Sequence, residues 1–221
     1  MATGPTRRRA LRRALIPLFE SSLLVLGGCT YEARVPAVDG YGIAGASQRQ
    51  PGQFAVLVQS DGWKMKVDVE GLACSLHNYE VDVEPSWTQA MKSALTASLG
   101  TVDFVPALVP PAAEKPRYDA QIGVVQSDAS THVSVAPGLL QEEAQAKTQL
   151  KGALTIVYPD GTFQYDTIEG SGAASSNGLT CGAASRAIGA ASATALREFV
   201  QQAALATKSH LAEHRQRAPP A

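Results

Sequence analysis

Residues 143–170 read EAQAKTQLKGALTIVYPDGTFQYDTIEG. Ala146, Thr148, Leu150, Leu154 and Ile156 alternate with Lys147, Gln149, Lys151 and Thr155. A period of two predicts a strand with one buried and one wetted face. A strand of that kind implies an antiparallel sheet. Pro159-Asp160-Gly161 is a strong hairpin turn, so 162–170 should return as the partner strand. Working outward, 118–126 also reads as a strand, and 102–108 as a short one. Further upstream, Tyr79, Val81 and Val83 share one face of an alternating run. Trp63, Met65, Val67 and Val69 do the same, after the Asp61-Gly62 turn signal. Residues 54–59 (FAVLVQ) are a short apolar strand.

Two segments change period. Pro85 fits the first turn of a helix, and Trp87, Met91, Ala94, Leu95 and Leu99 fall on one helical face, with Gly100 placed to end it. An Ala-rich helix is expected over 182–210, with Ile188, Ala191, Ala195, Phe199, Ala203 and Ala206 as its packing stripe. The simplest packing is α+β: a mostly antiparallel sheet of about five to seven strands, with both main helices on one face.

At this level the chain resembles small periplasmic lipoproteins of the YajG type. The resemblance rests on SWTQAMKSALTASLG (86–100), the strand pair LTIVYPDGTFQYDTIEGSG (154–172), and AASATALREFVQQ (190–202) in a terminal helix. It implies an envelope protein of accessory role, and it carries over no catalytic residue.

The N-terminus supplies an address. Arg7, Arg8, Arg9, Arg12 and Arg13 precede an apolar run over 14–26, which ends in Gly27, Gly28 and Cys29. This is the layout of a secretory signal peptide. A permanent span needs ~20 apolar residues, and this run is shorter and interrupted by Pro17 and Glu20. Leu26-Gly27-Gly28-Cys29 resembles a bacterial lipobox. That resemblance implies cleavage before Cys29, acylation of its thiol and amine, and stable anchorage by several acyl chains. Thr30, standing where an Asp would favour inner-membrane retention, implies sorting to the outer membrane. The organisation expected is therefore a signal peptide at 1–28, a lipidated cysteine with a flexible Gly/Pro-rich tether at 29–52, a periplasmic α+β domain at 53–212, and a disordered tail at 213–221.

The mature part is acidic. Removing five arginines and Glu20 from 19 basic and 20 acidic residues leaves 14 and 19, a net charge of −5. With no basic cluster, the domain is a poor candidate for nucleic acid, and no nucleic-acid partner is expected. With Cys29 lipidated, Cys74 and Cys181 remain, an even number in an oxidising compartment. A disulfide between them is expected, two buried free thiols being the alternative. Neither has a second Cys or His at metal-ligand spacing.

The remaining chemistry is sparse. His210, Glu213 and His214 match H-x-x-E-H, the zinc motif of inverted metalloproteases, and their spacing puts both imidazoles on one helical face. Those enzymes take a third ligand from well downstream, and only seven residues follow His214. The reading preferred is a solvated helix end. His77 and His132 are isolated, and the acids over 79–84 form the wet face of a strand. The polar face of 142–151 and the Gly-rich segment 171–182, taken as a mobile loop, are candidates for interaction. The function expected is a membrane-anchored, non-catalytic binding or accessory subunit without a cofactor. Its partners would be the membrane and other envelope proteins. A hydrolase or metalloenzyme built on H-x-x-E-H, and a carrier of an apolar ligand, are the alternatives.

Overall fold

In the computed structural model, residues 30–38, 49–60, 65–70, 74–109, 117–136, 142–178 and 181–217 are described. Cys29 and the expected signal peptide lie outside them. The order is β1 (Thr30–Arg34), β2 (Gln50–Gln59), β3 (Lys66–Glu70), β4 (Asn78–Asp82), α1 (Glu84–Ser98), β5 (Leu99–Phe104), β6 (Ala120–Ala136), β7 (Glu142–Val157), β8 (Phe163–Gly178) and α2 (Gly182–Arg217). No helix among these residues is long and apolar enough to cross a membrane.

The class is α+β, but the sheet is not mostly antiparallel. The main sheet has six strands, ordered β5-β2-β6-β7-β8, with β3 pairing separately on β6. Only β6–β7 and β7–β8 are antiparallel. The pairs β2–β5, β2–β6 and β3–β6 are parallel, as is the separate two-stranded sheet of β1 and β4. Alternation within a strand reports which face is buried and says nothing of a neighbour's direction. The counter-signal was in β2, where Phe54, Ala55 and Val56 are consecutive and all buried. A continuous apolar run of that kind marks a strand flanked on both sides by parallel partners and covered on both faces.

Both helices pack with the inner face of the sheet. Helix α2 runs along β6, β7 and β8, while α1 touches β2, β5 and α2. The inner face of β7 is Ala144, Ala146, Thr148, Leu150, Leu154 and Ile156, all buried, as the alternation required. Opposite them, Ile188, Ala191, Ala195, Phe199 and Ala203 are buried on α2. Thr131, Thr148 and Ser192 form a buried hydroxyl chain across this layer, with Thr131 Oγ1 2.9 Å from Thr148 Oγ1 and 2.6 Å from Met65 Sδ.

Local readings change as well: β2 begins at Gln50 inside the expected tether, Gly100 lies in β5 instead of ending the helix, and β6 runs on to Ala136. Three more bear on the site. Residues 30–34, expected in the tether, form β1. Ala33 is buried, and Ser185 Oγ on α2 donates to the Glu32 carbonyl at 2.8 Å. The segment beyond Gly170, expected as a mobile loop, continues β8 to Gly178. Its small residues admit the helix: a Cβ on Gly170 would strike the Ala195 carbonyl, and one on Gly172 the Ala191 carbonyl. The third change is α2 itself, which continues through the expected tail to Arg217.

Candidate functional site

Three places carry the chemistry and the exposed surface. The first is the N-terminal pole. Cys74 and Cys181 form a disulfide, with Cα atoms 5.5 Å apart and a sequence separation of 107. It joins the turn before β4 to the start of α2. Strand β1 lies alongside, with Thr30 paired to Asn78. The Tyr31 ring stacks on Tyr79 at 5.7 Å and meets His77 edge-on at 5.3 Å. Leu76, on the turn between the bridge and β4, is 80% exposed.

The second place is the far end of α2, where H-x-x-E-H falls. Its histidines face the β7–β8 hairpin. His210 Nε2 lies 2.5 Å from Asp166 Oδ2, and His214 Nε2 lies 3.5 Å from Asp160 Oδ2. The His214 ring stacks on Tyr158, with centroids 3.6 Å apart and planes within 5°. Glu213 points elsewhere, accepting from Ser209 at 3.3 Å and pairing with Arg217 at 3.5 Å. Each imidazole is thus matched to its own carboxylate. No cluster of three metal-ligating side chains occurs among the described residues.

Tyr158 is the centre of this end. It is buried, and its hydroxyl lies 3.1 Å from the His210 carbonyl and 2.9 Å from Gln164 Oε1. Burial and the negative charge of Glu213 push the phenol up to about 12, with Arg217 opposing and Asp160 assisting. The Thr162 hydroxyl and amide, and then His214, hold the Asp160 carboxyl below its usual range. A groove of about 490 Å³ opens beside these groups, lined by Phe54, Asp119, Tyr158 and Arg215 among others. A second cavity, of about 570 Å³, lies at the start of α1 over Asp82, Thr88 and Lys92, away from the histidines.

The third place is the outer sheet face near the hairpin. The pairing aligns Gln121, Val157 and Phe163 in one row, and Gly123, Thr155 and Tyr165 in the next. Phe163 is 71% and Tyr165 60% exposed. The Gln121 side-chain amide clips the segment after β5 over this face: the Val109 amide donates to it at 2.8 Å, and it donates back to the Val109 carbonyl at 2.6 Å. Val109 is 64% exposed, and Leu108 covers Gly123. The result is a fixed apolar patch on solvent. Towards the other pole the same face turns polar, with Gln145, Lys147, Gln149 and Lys151. The free edge of β8 is guarded from α2: Ser171 gives its amide and hydroxyl to Glu198 at 2.8 and 2.9 Å, and Arg186 donates to the Asn177 carbonyl at 3.0 Å. Such contacts discourage strand addition.

The sequence reading found the two cysteines and the histidine spacing. It missed Asp160, Asp166 and Tyr158 as partners, because they come from another element. It passed over Phe163 and Tyr165, whose alternation was visible but whose exposure depends on which face α2 covers.

No protein-family model matches the chain, and no curated protein matches it. Among solved structures it is similar to a Xanthomonas campestris protein described under DUF330, with 11% identity, 86% of this chain and 100% of that one covered, and a TM-score of 0.43. It is similar to a putative neuraminyllactose-binding hemagglutinin homologue from Helicobacter pylori, at 14% identity, 81% and 91% coverage and a TM-score of 0.33. A minor lipoprotein from Acinetobacter baumannii follows, at 9%, 74% and 94%, with a TM-score of 0.30. These likenesses are partial, and the functional reading rests on this chain's own residues.

Proposed function

We propose that the chain is a lipoprotein anchored through Cys29 at the periplasmic face of the outer membrane. Its role is that of a non-catalytic binding or accessory subunit in envelope assembly or transport. The lipobox and basic leader support the address. The observation that carries the role is the patch of Phe163, Tyr165 and Val109, apolar side chains held outward on a rigid sheet. Exposed apolar side chains grouped on one face are a mark of interaction surfaces. The patch lies at the end of β7 away from Glu143, whose partner Asn177 receives Arg186 of α2, next to the Ser185 that holds β1. A photo-crosslinking side chain at Tyr165, used in the native envelope, should capture a discrete protein partner. The same group at Lys147, on the polar part of that face, should not. Equal capture from both positions would remove the patch from the reading.

A further inference from the structure

The N-terminal pole has a geometric consequence for any anchor at Cys29. Strand β1 begins at Thr30, the residue immediately after Cys29, and is bonded to β4 from its first residue. Consecutive Cα atoms are ~3.8 Å apart, so the anchor has no tether in which to lift the domain away. Thr30 pairs with Asn78, and Leu76 lies two residues before Asn78. Strand spacing and chain reach then put Leu76 within about 16 Å of the acylated residue.

We propose that this pole, with Leu76 and Tyr31 foremost, lies directly against the phospholipid surface that the acyl chains of Cys29 enter. The inference rests on the lipoprotein reading above and adds an orientation to it. Leu76 is 80% exposed on a turn pinned by the Cys74–Cys181 bridge, so its exposure is held by covalent structure. Tyr31 and His77 are half-buried beside it, and tyrosine rings favour the headgroup level of a bilayer. The acids Glu32, Glu70 and Glu143 and the bases Arg34 and Arg186 are all exposed on this side of the molecule, so its charges of both signs are mixed. Attraction to anionic lipid is therefore not the driving term. One leucine alone would hold nothing. The acyl anchor keeps it at the surface, where its insertion selects one orientation out of many.

The test uses the full mature lipoprotein, purified from membranes and reconstituted in zwitterionic phosphatidylcholine–phosphatidylethanolamine vesicles. Leu76→Trp and Phe163→Trp are compared, each against the native chain, with and without brominated acyl chains. The expected result is that the fluorescence added at position 76 is largely lost to brominated lipid, while that added at 163 is retained. Intact-mass measurement of the N-terminal peptide is made on the same samples. Acylated, vesicle-bound protein with unquenched Trp at 76 overturns the orientation and leaves the anchor standing. An unacylated N-terminus overturns both. Protection of position 76 from aqueous iodide in native membranes, without quenching by brominated lipid in vesicles, would assign the surface to a protein partner and likewise overturn the proposal.

Discussion

Tyr158 holds the C-terminal end of α2 through its ring and its hydroxyl together. Burial and the Glu213 charge raise its phenol to about 12 from an ordinary 10. A raised folded-state value means the folded chain keeps its proton longer than the unfolded one. The contribution is complete below pH ~10 and is lost as pH rises through the folded value. Thermal melts from pH 9 to 12 should therefore fall more steeply for the native chain than for Tyr158→Phe. Parallel slopes would mean that the phenol does not couple to folding. Gly172 makes a different claim at the same scale. A Cβ there would strike α2 backbone, so Gly172→Ala should cost roughly 1–3 kcal/mol in urea denaturation, as overpacking does. Gly161 has open space around it but a φ of 83°, so Gly161→Ala should cost about 1 kcal/mol from backbone strain alone. In the sequence Gly161 stands as a turn residue and Gly172 in a Gly-rich segment taken as a mobile loop. The turn role of Gly161 was legible from Pro159 and Asp160. Gly172's service to helix packing was not, because it depends on a residue from another element.

At the scale of elements, alternation was read well wherever it ran unbroken. Strand β7 keeps even-numbered residues inward from Ala144 to Ile156, and the reading matched it. Strand β6 does not keep its parity. Ile122 and Val124 face inward, a bulge falls between Gln126 and Asp128, and Ala129, Thr131 and Val133 face inward after it. The reading stopped at Gln126 because the single extra residue broke the period. The end of α2 failed for another reason. Its last turns look charged and solvated in isolation, yet Leu211 is buried and both histidines meet acids on the hairpin. The disulfide belongs here too, since it ties β4 to α2 across 107 residues. Replacing both cysteines with serine should lower stability by roughly 4–5 kcal/mol on the chain-entropy model of loop closure. A loss under about 1 kcal/mol would mean that the unfolded chain is already compact there.

For the whole molecule, the class was legible and the sheet's directions were not. Strand and helix periods give layers, whereas parallel pairing depends on how the connections cross. What emerges is a chain with two ends of different character. One end holds the disulfide, Leu76 and β1, which starts one residue after the cysteine of the proposed anchor. The other holds the hairpin, with its outward aromatic patch on one face and its His–Asp contacts on the other. An anchor at the first end would present the second to the periplasm. The central claim is that Cys29 is what ties the chain to the membrane, and fractionation of cells carrying Cys29→Ala against the native chain tests it most directly. The account predicts native protein in the membrane fraction and Cys29→Ala released to the soluble fraction. Cys29→Ala remaining with the membranes to the same extent as the native chain would contradict it.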